Sequence, residues 1–150
     1  MRAIAPFLWF DDDLEEAIDL YGSVFPGKPP STTRMPDGKV LAADFELAGQ
    51  PFKGLNGGPE FRHTEAFSIF VECEGQAEVD RYWDALTANG GEEGMCGWLK
   101  DKFGVSWQII PVEFLEMVSQ GQPDQVQRVM AAMQTMRKMD VAALQAAYEG

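Results

Sequence analysis

The side chains able to do chemistry are few and scattered. Asp44 and Glu46 stand two residues apart and alternate with Leu41, Ala43, Phe45 and Leu47, a spacing that puts both carboxylates on one face of a strand. Such a pair can share acid–base work, although a solvated strand face accounts for it more simply. Cys96 precedes Gly97-Trp98, but no histidine lies in the local motif to activate its thiol, which favours a packing role. Cys73 and Cys96 are the only cysteines. They could pair, but two do not make the multi-bridge framework of a secreted domain. The single histidine, His63, sits beside Arg62 with no second imidazole to join it. Lys100-Asp101-Lys102 reads as the polar face of a short strand or its turn, and its lysines would be the local counter-charge for an acidic ligand. No catalytic constellation emerges.

Those side chains need elements to hold them. Residues 3–10, AIAPFLWF, form a short apolar run rich in strand-forming aromatics, cut off by Asp11-Asp12-Asp13. The triplet supplies an N-cap and first-turn charge that suits a helix dipole. Leu14, Ala17, Ile18, Tyr21, Val24 and Phe25 then follow helical spacing until Pro26-Gly27. Extended stretches are expected at 31–35, 39–47 and 51–55, and Asn56-Gly57-Gly58-Pro59 closes the block. The second half repeats the order. A strand at 65–74 puts Phe67, Ile69, Val71 and Cys73 on one face and Ser68, Phe70 and Glu72 on the other. A helix carries Val79, Tyr82, Trp83 and Leu86 and stops at Asn89-Gly90-Gly91. Short strands follow at 93–98, 99–102 and 105–111. Helices are expected at 113–118, 124–139 and 141–148. Their apolar stripe (Val126, Val129, Met130, Met133, Met136, Met139, Leu144, Tyr148) must be covered, by its own domain or by a second subunit. We expect a homodimer to which this tail contributes.

The 150 residues are the size of one domain, and 45% hydrophobic content with 11% aromatics suits a packed core. Twelve basic residues against 24 acidic ones give a net charge of −12. That surface repels nucleic-acid phosphates and anionic membranes, so neither is an expected partner. No signal-peptide pattern opens the chain, and no apolar run approaches the roughly 18 residues that span a bilayer. The expected location is cytoplasmic.

Four stretches carry a family resemblance: PFLWFDDDLEEAIDLYGSVFP (6–26), GQPFKGLNGGPEF (49–61), CGWLKDKFGVSWQIIP (96–111) and QRVMAAMQTMRKMDVAALQAA (127–147). They resemble the PhnB-like branch of the vicinal oxygen chelate (glyoxalase/bleomycin-resistance) superfamily, often labelled 3-demethylubiquinone-9 3-methyltransferase. The resemblance implies an α+β fold: two βαβββ modules, about 3–58 and 65–111, forming a curved cup-like sheet in one glyoxalase-like domain over 1–150, with C-terminal helices at 112–150. It also implies a homodimer, commonly with modules paired across the subunit boundary. The methyltransferase label finds no support in the residues, because no glycine-rich turn joins a strand to a helix here.

Catalytic members of that superfamily hold a divalent ion with His or Glu from four cup strands. Carried over, those positions fall on Pro6, Asn56, Ala66 or Ser68, and Gln108, which cannot ligate zinc, nickel or iron well. No metal and no cofactor are therefore expected. If Gln108 faces the cup, alternation puts Ser106 and Ile110 with it, and the same rule groups Pro6, Leu8 and Phe10, and Ser68 with Phe70. The expected ligand-binding set is Leu8, Phe10, Asn56, Ser68, Phe70, Trp98 and Gln108. Its apolar and aromatic surface with a few neutral hydrogen-bonding groups suits a small organic ligand. The alternative is that these residues fill a closed core. The expected function is metal-independent small-molecule binding. A superfamily enzyme of isomerase, lyase or dioxygenase type is the alternative, and a purely structural dimer a third.

Overall fold

A computed structural model describes residues 4–150. The first half runs β1 (Phe7–Phe10), α1 (Leu14–Val24), β2 (Ser31–Arg34), β3 (Val40–Leu47) and β4 (Gln50–Asn56). The second runs β5 (Ser68–Cys73), α2 (Gly75–Thr87), β6 (Glu92–Glu93), β7 (Trp98–Lys100) and β8 (Ser106–Pro111). Three helices follow: α3 (Val112–Gln120), α4 (Pro123–Met133) and α5 (Val141–Glu149). The strands form two four-stranded sheets, ordered β1-β4-β3-β2 and β5-β8-β7-β6. In each, the first strand pairs parallel with the last. The βαβββ repeat expected from the pattern is thus a repeat of topology. The chain divides into two compact units, one closing at His63 and the other running Thr64–Gly150.

In the first unit α1 lies on one face of its sheet. It buries Leu14, Ala17, Ile18 and Tyr21 against Leu8, Phe10, Ala43, Phe45, Leu47 and Phe52. Each large side chain so buried contributes about 1.5–3 kcal/mol. Phe45 stacks on Phe52 with ring centroids 5.4 Å apart, and the helix comes close at Gly54, where a Cβ would collide with the Leu14 side chain. A register shift between Thr33 and Arg34 turns Val40 inward and leaves Leu41 38% exposed. The start of α1 departs from expectation. Asp13 occupies the N-cap but makes no side-chain cap hydrogen bond. Burial, with the neighbouring charges of Asp12, Glu16 and Asp11, raises its carboxyl above the usual range. The Leu14 N–H donates instead to Asn56 Oδ1 at 2.9 Å.

In the second unit α2 packs Val79, Tyr82, Trp83 and Leu86 on the sheet face that carries Cys73, Leu99, Trp107 and Ile109. Asp101, 3% exposed, organises the β7–β8 hairpin by accepting from the backbone of Phe103 and Val105 and from the Trp107 indole. The strand expected at 93–98 shrinks to Glu92–Glu93, because Gly94–Gly97 turns back on itself. Gly97 has φ +80°, and a Cβ there would sit 2.8 Å from Ile110 Cδ1. Only glycine fits.

The helix expected to reach Met139 ends at Met133. Residues 134–140 instead run back along the sheet end, where Cys96 and Gly97 donate to the Met136 and Arg137 carbonyls, both at 2.8 Å. Gln76 clamps the same segment, donating to the Met139 carbonyl and accepting from the Val141 N–H. Ile110, Phe114, Met117, Val129, Met139 and Leu144 form one core, with Met130, Met133, Met136 and Tyr148 packed against it. Of the apolar stripe, Val129, Met139 and Leu144 are buried within this chain, and Val126, Met130, Met133, Met136 and Tyr148 are half-buried. Among the described residues, no helix is long and apolar enough to cross a membrane.

Candidate functional site

The face of the second sheet turned away from α2 is built from β5, β8 and β7. Alternation brings Ser68, Phe70 and Glu72 to this face, and the pairing register extends it sideways. Ser68 lies beside Ser106 and Ser106 beside Lys100, while Phe70 lies beside Gln108 and Gln108 beside Trp98. Gln108 Nε2 donates to Ser68 Oγ at 2.9 Å, which ties the two rows together. Phe70 is 47% exposed. Four of the seven residues expected to bind ligand, Ser68, Phe70, Trp98 and Gln108, therefore share one surface. A cleft of about 170 Å³ opens at its edge, with Glu65, Glu92, Trp98, Lys100 and Ser106 among its walls. Lys100 Nζ meets Glu65 Oε1 at 2.5 Å, a contact that raises the lysine's pKa and lowers the carboxylate's.

The other three expected residues are on the wrong face for this role. Leu8 and Phe10 are each 2% exposed and lie beneath α1. Leu8 pairs with Gly54, whose missing Cβ leaves room for Leu14, so the β1 reading is one residue out of phase. Asn56 pairs with Phe10 on that same side. Its amide is engaged at both ends, accepting from Leu14 N–H and donating to the Val40 carbonyl, each at 2.9 Å. It caps α1 from 42 positions away in the same chain.

The outward face of the first sheet instead presents Phe7, Trp9, Ala42, Asp44, Lys53 and Leu55, which pairing puts side by side. Phe7 is 58% exposed. The Gly57-Gly58 pair has a local role here. The Trp9 indole donates to the Gly58 carbonyl at 2.8 Å, and a Cβ at Gly57 would collide with the Trp9 ring.

The reactive candidates resolve differently. Asp44 pairs with Lys53 at 2.6 Å and Glu46 with Lys28 at 3.2 Å, so these carboxylates sit on a solvated, ion-paired face. Cys73 and Cys96 are both free thiols. Burial, reinforced by the nearby Glu78 charge, pushes the Cys73 thiol up to about 12. The strands β1, β4, β5 and β8 contain one carboxylate, Glu72, and no histidine. Among the described residues no three His, Cys, Asp or Glu side chains converge to hold a metal ion. This donor set does not fit the four-ligand divalent site that the sequence resemblance implies.

Two βαβββ modules with parallel first and last strands define the class of protein. Residues 2–110 match the family model described as 3-demethylubiquinone-9 3-methyltransferase. A PhnB protein from Bacillus cereus carrying that same label is 32% identical, with a TM-score of 0.64 over 73% of this chain and 99% of its own. A Pseudomonas aeruginosa protein matches at 20% identity and TM-score 0.59, over 74% of this chain and 98% of its own. The fosfomycin resistance protein FosX from Listeria monocytogenes, solved with Mn(II) and sulfate, matches at 16% identity and TM-score 0.52 over 71% and 89%. None of the curated proteins matches. The chain belongs to the PhnB-like, 3-demethylubiquinone-9 3-methyltransferase-labelled family. The family match ends at Ile110, just before the helices α3–α5.

Proposed function

We propose that this chain is a metal-independent small-molecule-binding protein of the glyoxalase/bleomycin-resistance type, acting as a homodimer. The reading rests chiefly on one observation: Phe70, Trp98, Gln108 and Ser68 lie in adjacent rows on a sheet face that carries no metal-ligand set. Aromatic rings beside neutral hydrogen-bonding groups suit a flat organic ligand. The methyltransferase label has no chemical counterpart in this topology. β1 passes into α1 through three aspartates rather than a glycine-rich turn, and neither four-stranded sheet has doubly wound order.

Two measurements test the reading. Untagged protein incubated with zinc, nickel, manganese or ferrous iron and then desalted stays far below one ion per chain by plasma mass spectrometry. A thermal-shift screen of planar aromatic and antibiotic-like compounds finds stabilisers whose effect falls in Phe70→Ala and Gln108→Ala. A tight stoichiometric ion would replace this reading with that of a superfamily enzyme.

A further inference from the structure

The edge cleft holds a polar atom that the fold leaves without a use. Ser106 is 1% exposed, lines the cleft, and its hydroxyl has no hydrogen-bond partner. An orphaned buried hydroxyl costs stability unless something else satisfies it. The charges around it are unbalanced. On the open face Lys100 has Glu92 as its cross-strand neighbour and Glu65 in direct contact, two carboxylates against one ammonium. Glu93, also in the wall, has its carboxylate taken by the Trp83 indole at 2.8 Å. The whole chain carries −12, which adds to the same sign. An anion entering this cleft would meet repulsion that a cation would not. Trp98, two residues before Lys100 on the same face of β7, supplies a ring that can take either an apolar group or a cation.

Building on the proposed binding role, we infer that the cleft takes an organic ammonium. Its N–H groups are accepted by Glu65, Glu92 and the Ser106 hydroxyl, and its apolar body rests on Trp98. Lys100 is then the built-in occupant: its ammonium sits on Glu65 as the ligand's would, and binding requires that it give way. Glu65 stands in the connector before β5 with its side chain 63% exposed, and the Lys100 side chain is 35% exposed, so both can move without disturbing the core.

The test is fluorine NMR titration with 4-fluorobenzylamine, 4-fluorobenzyl alcohol and 4-fluorobenzoate, with amide shifts of Ser106 and Trp98 as the local readout. The amine binds best and the benzoate worst. Lys100→Met tightens the amine about fivefold and Glu65→Gln weakens it by a similar factor, the size of one exposed charge pair. Ser106→Ala keeps its melting temperature, having lost no internal hydrogen bond, yet binds the amine more weakly. Benzoate binding that Lys100→Met abolishes would overturn the inference. Equal binding of amine and alcohol in every variant would also overturn it, while leaving the small-molecule reading standing. Failure of all three probes to shift any residue of this face would overturn the inference, while the thermal-shift screen tests the small-molecule reading separately.

Discussion

Asn56 and Cys73 show how side-chain chemistry in this chain is spent on the fold. Asn56 uses both ends of its amide, on the first N–H of α1 and on the Val40 carbonyl. Removing it leaves a helix donor and a strand acceptor unpaired, so Asn56→Ala costs about 1–2 kcal/mol. For a chain this long that lowers the melting temperature by roughly 2–8 °C, measurable by calorimetry. Ligand binding at the second sheet is unchanged, which separates a cap from a binding residue. Cys73 is fully buried, and its thiol is pushed up to about 12. Its folded pKa lies above the unfolded value near 9, so the folded state keeps a proton that the unfolded state releases. The thiol's contribution to stability is whole below about pH 9 and is lost as pH rises toward 12. Native protein at pH 9 therefore leaves Cys73 unalkylated by iodoacetamide in mass spectrometry, and Cys73→Ala flattens the alkaline fall in stability. Rapid labelling of Cys73 in the folded protein would contradict its buried placement.

At the scale of elements, legibility followed polarity. β5 and β8 each carry polar residues, Ser68 and Glu72 in one and Ser106 and Gln108 in the other, which fix the outward face, and alternation read both correctly. β1 is FLWF, apolar at every position, so nothing in the strand sets its phase. Leu8 and Phe10, expected to face a ligand, lie beneath α1. Asn56 was illegible for another reason: its partner Leu14 is 42 positions away, and only the register of β4 beside β1 brings them together. The helical tail shows a third limit. Its stripe keeps helical spacing to Met139, but the Cys96 and Gly97 N–H groups capture the Met136 and Arg137 carbonyls, and α4 ends at Met133. Met139, 1% exposed, fills the resulting corner against Gly97 and Ile110. Met139→Ala should cost about 2–5 kcal/mol, read as a lower urea midpoint with unchanged slope. A neutral result would mean that segment 134–140 is not held as described.

For the molecule as a whole, apolar surface and net charge pull in opposite directions. The methionine stripe packs partly within the second unit, and its half-buried Met130, Met133 and Met136 remain open to a second copy. Larger apolar groups are more exposed: Phe7 on the outward face of the first sheet is 58% exposed, and Phe70 and Phe67 are 47% and 44% exposed at the second. Sheet faces bearing such rings gain by being covered, at about 25 cal/mol per Å² of apolar area removed from water. Against this stands the self-repulsion of two chains at −12 each. That term is screened by salt, whereas apolar burial is not. The expected outcome is a dimer by light scattering whose dissociation constant falls as ionic strength rises from about 30 to 300 mM, where the Debye length shortens toward about 6 Å. Phe7→Glu adds charge to the apolar face and should yield a folded monomer, with its circular dichroism preserved because Phe7 lies outside the α1 core. A wild-type monomer at every salt concentration would sink the homodimer and leave these faces to the ligand alone.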